Sequence, residues 1–150
     1  MQMREILFRG KLKDNGDWIY WGMLGHITTH TGKISKYTQK TKYGESYYYY
    51  SYQLWSRIDH STIGQYTGLK DKNGKRIFEG DILGSRYDDL YPDDVTLEEV
   101  VWFRNAWHTK QIDGIEHDPD LCEEIEALPY SEVVGNINDN PELLKDGADG

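Results

Sequence analysis

The sequence holds a single cysteine, four prolines, and no apolar run near the ~18 residues that a membrane-spanning helix needs. A lone Cys122 excludes a disulfide framework and fits a reducing compartment. The opening MQMREILF lacks the apolar stretch of a signal peptide, so a soluble intracellular protein is expected. Glycine-rich phosphate loops, a Gly-x-Ser-x-Gly elbow, internal repeats and Ser/Pro linkers are all missing. Basic residues are scarce: 17 Lys and Arg stand against 26 Asp and Glu, a net charge of −9, which rules out a broadly basic protein.

Aromatic residues, by contrast, are plentiful. Five Trp and twelve Tyr argue against disorder, and 150 residues suffice to bury a core in one domain, or in a domain with a small appendage. The charge is unevenly spread. Residues 1–75 carry 12 basic and 6 acidic side chains, and residues 76–150 carry 5 and 20. Such a split marks separate faces for anionic and cationic partners, or halves that attract each other, or two well-solvated surfaces.

Most of the chain reads as short strands. Residues 5–12 and 17–24 alternate like strands around a turn at residues 14–17, where Gly16 suits a positive φ. Residues 31–33 form a second turn. The stretch 37–55 crowds Tyr37, Tyr43, Tyr47, Tyr48, Tyr49, Tyr50, Tyr52 and Trp55. Consecutive tyrosines place rings on both faces of a strand, so some must lie on an outer face or under another segment. Asn73-Gly74 is a strong hairpin signal, and Gly80 marks a tight bend into a strand over residues 81–83. Residues 88–99 read as an acidic loop, and residues 100–108 as a hairpin around Arg104-Asn105. Asp118-Pro119 with Leu121, Ile125 and Leu128 predicts a helix. A last strand follows at 132–137, then one helical turn begun by Asn140-Pro141.

Several blocks resemble the YopX family: Arg4-Glu5-Ile6, Phe8-Arg9-Gly10-Lys11, Asn15-Gly16-Asp17-Trp18, the run 63–75, Ile77-Phe78-Glu79-Gly80-Asp81-Ile82, and Glu132-Val133-Val134-Gly135-Asn136-Ile137 with Asn140-Pro141-Glu142-Leu143-Leu144. They stand in the family's usual order from near the first residue nearly to the last. The resemblance implies a protein encoded by a bacteriophage or prophage and working in the cytoplasm of a bacterial host cell. It implies no catalytic residues, because the family has no established activity. Stretch 37–55 lies outside the shared blocks.

Motif residues Gly64, Gln65, Tyr66, Thr67, Gly68, Gly74, Glu79, Gly80 and Asp81 read as structural. The glycines suit bends or close backbone approach. Asp81 is expected to accept N–H groups from the 70–75 turn. Glu-Gly-Asp before an apolar strand also resembles strand openings in SH3-like barrels, an analogy of fold alone.

Chemistry offers little. His26 and His30 lie four apart in strand-like sequence, ~13 Å from one another, and His108, His117 and Cys122 show no zinc spacing, so no metal or cofactor is expected. Glu123, Glu124 and Glu126 around Cys122 would raise its pKa, the wrong direction for a nucleophile. Enzyme activity is not expected. Lys36, Tyr37, Lys40, Lys42, Tyr43, Tyr47, Tyr48, Tyr49, Tyr50, Tyr52 and Trp55 make the candidate binding surface. Tyr and Trp favour interface hot spots, so a homo-oligomer or a host or phage protein partner is the leading expectation. Single-stranded nucleic acid binding through the Lys/Tyr segment 33–57 is the alternative, since lysines interleave there with stackable rings. A weaker idea is that the acidic segment 88–126 imitates a phosphate backbone. The expected class is mostly β with minor helix: a small, partly open SH3-like β-barrel over 61–150, with short C-terminal helices, joined to an N-terminal β-hairpin subdomain over 1–60. The boundary is soft, and a single domain over 1–150 is the other arrangement.

Overall fold

A computed structural model describes residues 5–22, 27–29, 40–41, 44–45, 55–86, 90, 93–113, 123–124 and 130–145. The chain divides into two compact units, Met1–Gln65 and Tyr66–Gly150.

In the first unit β1 (Leu7–Leu12) and β2 (Trp18–Gly22) form an antiparallel hairpin. Its turn works as expected: Gly16 has φ 73° and donates its N–H to the Leu12 carbonyl at 2.9 Å. β3 (Ile27–Thr29) extends the sheet beyond β2, and β4 (Lys40–Thr41) pairs separately with β5 (Gly44–Glu45). The other side of β1 pairs with the first part of β6 (Ile58–Lys70). That pairing is interrupted, Arg9 facing Gly64 while Lys11 faces Asp59, so residues between them bulge out of the ladder. The Thr62 hydroxyl fills the gap, accepting the Lys11 N–H at 2.8 Å and donating to the Asp59 carbonyl at 2.6 Å.

One face of this sheet carries a small core of Leu12, Ile19 and Ile58, with Trp21 and Ile63 packed on it. Gly10 makes that packing possible. A Cβ there would stand 2.9 Å from an Ile58 methyl and 3.2 Å from the Trp21 ring. The opposite face carries Arg9 and Lys11, whose charged ends lie 4.6 and 5.6 Å from the Trp18 ring centroid.

In the second unit the remainder of β6 pairs with β7 (Arg76–Phe78). β8 (Asp81–Ser85) lies between β9 (Thr96–Phe103) and β12 (Ser131–Asn136), while β10 (Ala106–Gln111) and β11 (Glu123–Glu124) continue outward from β9. Every residue of β8 is buried, and Ile82 and Leu83 are wholly inaccessible. Ile77, Leu83, Val100 and Trp107 form the core, with Leu69 and Val133 against it. Arg104 and Asn105, at φ 47° and 63°, turn β9 into β10, as a two-residue hairpin loop requires.

The chain is mostly β, and among the described residues each of the three strand orders ends on edge strands. Two expectations change. Glu123 and Glu124, expected within a helix, are strand residues paired with Thr109 and His108. Three apolar residues at helical spacing make too small a stripe to outweigh a free sheet edge. The acidic loop over 88–99 ends early, because Thr96, Leu97, Glu98 and Glu99 already pair with β8. The turn at 31–33 and the remainder of the expected helix, residues 118–122 and 125–129, lie outside the described residues. The helical turn after Asn140 is a 3-10 turn, Pro141–Leu144.

Candidate binding surface

Aromatic packing in the first unit builds from the Gly10 gap outward. Phe8 and Trp21 are cross-strand partners and stack at 6.1 Å with 19° between their planes. Trp21 meets the edge of Trp55 at 6.4 Å, and Trp55 lies 4.5 Å from the His60 ring. The β6 bulge supplies His60, whose Nε2 also contacts the Trp55 carbonyl at 3.0 Å. This ladder ends in open solvent: Trp55 remains 47% exposed.

Cations around the ladder are already engaged. Arg57 bonds Asp14 at 2.6 Å, and that contact holds the Asp14 carboxyl below its ordinary value. Lys13 Nζ donates to the Ser56 carbonyl at 3.2 Å. Hydrogen bonds from the Ser61 hydroxyl and N–H likewise lower the Asp59 carboxyl. Arg9 is only 6% exposed and lies on the other face of the sheet with Trp18. The described surface beside Trp55 is therefore aromatic and close to neutral.

Of the residues proposed from the sequence, Trp55 is central to this ladder, and Lys40 is a β4 residue opposite Glu45. Lys36, Tyr37, Lys42, Tyr43, Tyr47, Tyr48, Tyr49, Tyr50 and Tyr52 lie outside the described residues. Sequence reading missed Trp21 and His60 as members, because only the pairing across Gly10 and the β6 bulge bring them to Trp55.

Motif residues in the second unit hold its frame. Thr67 donates to the Ile77 carbonyl at 2.8 Å and accepts the Leu69 N–H at 3.1 Å, bridging a shift in the β6–β7 register. Tyr66 packs on Phe78 at 5.6 Å. Gly68, Gly74 and Gly80 have φ of 89°, 80° and 82°. Gly64 is buried opposite Arg9, while Gln65 and Glu79 are half-buried.

Asp81 does not serve the 70–75 turn. It is 1% exposed and accepts the Phe78 N–H at 2.8 Å, closing the bend at Gly80. The 70–75 turn is organised by Asp71, whose Oδ1 accepts the N–H groups of Asn73 and Lys75 at 2.9 Å each. Its Oδ2 accepts the Val133 N–H of β12 at 3.0 Å. Burial alone would raise the Asp71 pKa. The amides of Val133, Lys75 and Asn73 outweigh it and hold the carboxyl below its usual value.

Asn140 acts similarly at the other end of β12. Its Oδ1 accepts the Asn136 N–H at 3.3 Å, and its own N–H donates to the Asn136 carbonyl at 2.9 Å. Gly135 leaves the room: an added Cβ would sit 2.5 Å from the Asn140 Oδ1. Glu99 on β9 is raised by burial, with Lys110 opposing. Among the described residues, no group of three His, Cys, Asp or Glu side chains is placed to hold a metal ion. No helix among them is long and apolar enough to cross a membrane.

No curated protein matches the chain. Among solved structures, the crystal structure of protein EF1440 from Enterococcus faecalis is similar, with 21% identity over 93% of this chain and 97% of that one, at a TM-score of 0.52. At that identity the likeness concerns the fold. The family model described as YopX protein matches residues 7–145, nearly the whole of a sequence whose motif residues are the turns, clasps and bends just described. The chain belongs to the YopX family.

Proposed function

We propose that the chain is a non-catalytic interaction module, a phage or prophage accessory protein that self-associates through the aromatic surface of its first unit. The observation that carries this reading is Trp55, left 47% exposed within the Phe8–Trp21–Trp55–His60 ladder. A large ring left in solvent forgoes ~1.5–3 kcal/mol of burial, which a partner surface recovers. The adjoining segment 37–52 supplies seven further tyrosines in the sequence. Sedimentation velocity tests the reading. Trp55→Ala, and serine at each of residues 47–50, should each reduce the sedimenting mass. An unchanged mass in both removes self-association from this surface.

Single-stranded nucleic acid is the second reading, supported by the lysines at 36, 40 and 42 that interleave with tyrosines. The engagement of Arg57 and Lys13 within the protein weighs against it. Binding to single-stranded DNA that weakens steeply with salt, and is lost on charge reversal at Lys36, Lys40 and Lys42, would favour it. A pull-down from host cells with and without nuclease separates the two classes of partner.

A further inference from the structure

In an Asn-Gly pair the backbone nitrogen of glycine can attack the asparagine side chain, because no Cβ stands in the way. The chain holds two such pairs, Asn15-Gly16 and Asn73-Gly74, each in an exposed turn. Sequence alone does not rank them, and their backbones are alike. Gly16 and Gly74 have φ of 73° and 80°, and their amides donate to the Leu12 and Asp71 carbonyls at 2.9 Å each.

The asparagine side chains differ. Asn15 is held at both ends of its amide: Oδ1 accepts the Asp17 N–H at 3.0 Å, and Nδ2 donates to Asp17 Oδ2 at 2.9 Å. Turning its Cγ toward the Gly16 nitrogen breaks both bonds. Asn73 makes one side-chain hydrogen bond, from Nδ2 to Glu132 at 3.3 Å. Space differs too. A Cβ at Gly74 would meet nothing within 4 Å, whereas one at Gly16 would lie 3.8 Å from the Lys11 side chain. Charge acts in the same direction. Lys72 and Lys75 flank Asn73-Gly74 and favour the deprotonated amide that attacks. Asp14 and Asp17 flank Asn15-Gly16 and oppose it, with the Lys11 ammonium offsetting part of their effect.

We propose that Asn73 is a site of spontaneous deamidation whose isoaspartyl product loosens the hold of Asp71 on β12. The Gly74 nitrogen bonds to Asn73 Cγ, the bond from Cγ to the side-chain nitrogen breaks, and ammonia leaves with the Gly74 proton. Water then opens the succinimide ring, giving aspartate by attack at one carbonyl and isoaspartate at the other. Isoaspartate routes the main chain through the side chain and inserts a carbon between the N–H groups of residues 73 and 75. In the folded turn those two groups converge on Asp71 Oδ1 at 2.9 Å each. Spread apart, they no longer fix the carboxylate whose Oδ2 accepts the Val133 N–H at 3.0 Å.

The test ages full-length folded protein in mildly alkaline buffer beside a sample unfolded in urea. Peptide mapping by mass spectrometry and labelling with an isoaspartyl methyltransferase follow each site. In the folded sample the Asn73 peptide should gain label several-fold faster than the Asn15 peptide, and Asn73→Gln should remove that label. In urea the two rates should converge. Absence of label at Asn73 in the folded sample, or an Asn15 that keeps pace, would overturn the assignment. So would the same ratio of rates in urea, because the ranking would then owe nothing to the fold. Hydrogen exchange at the Val133 amide should quicken in the isoaspartyl fraction and stay near wild type in Asn73→Asp, which adds the charge without lengthening the backbone. Unchanged exchange in the isoaspartyl fraction, or equal quickening in Asn73→Asp, would overturn the link to β12.

Discussion

The two units handle exposed structure in opposite ways. The second unit closes its β12 edge with two clasps and buries every residue of β8. The first unit bulges its longest strand, turns His60 outward and leaves Trp55 in solvent. Their charges differ as well: nine basic and five acidic side chains in Met1–Gln65, against eight and twenty-one in Tyr66–Gly150. Family motif residues follow the same division. Those of the second unit, such as Asp71, Asp81, Gly135 and Asn140, are consumed in holding backbone geometry. Gly10, in the first unit, clears space for a ring that leads to the surface. The motif residues of the second unit are thus accounted for by folding.

Three measurements sharpen or break that contrast. The largest effect is expected at Leu83, wholly buried in the second core. Leu83→Ala should lower stability by ~2–5 kcal/mol, read as a falling midpoint in urea. A loss below ~1 kcal/mol would mean the second core packs no better than a surface. Gly135→Ala comes next. Its Cβ meets Asn140 Oδ1 at 2.5 Å, so the second clasp must give way, at a cost of ~1–3 kcal/mol and with faster hydrogen exchange at Asn136. Unchanged exchange there would deny Asn140 its role as a clasp.

The smallest effect is a pH dependence. The folded Asp71 pKa lies below the ordinary 3.8, so its contribution is present above that value and disappears as pH falls through the lower folded value. Wild type should therefore lose more stability below about pH 4 than Asp71→Asn does. Equal acid profiles would show that Asp71 adds nothing by its charge.

The legible parts of the sequence were those whose physics is local. Gly16, Gly74 and Gly80 each announce a turn because only nearby backbone demands their positive φ. The hairpin at Arg104-Asn105 is bounded by apolar residues on either side and pairs as expected, Phe103 with Ala106. What depended on distant partners was not legible. Asp71 and Asp81 both sit beside turns, and which of them organises the 70–75 turn follows from its position beside β12, a strand sixty residues away. Glu123 and Glu124 obey a helical pattern until an available edge on β10 is known. Of the candidate surface, Trp55 was legible as one of a crowded set of rings, whereas its link to Trp21 and His60 was not.

The pairing of β1 with β6 also governs the order in which the chain acquires shape. The β1–β2 hairpin is complete at Gly22 and Phe8 pairs with Gln65, so the ribosome must add 43 further residues, 23 to 65, before β1 can pair fully with β6. At ~5–20 residues per second, that leaves the β1–β2 hairpin open-edged for ~2–9 s, with Trp18 and Trp21 already synthesised and the tyrosine stretch following. During those seconds its aromatic rings lack the β6 partners that cover them in the folded sheet.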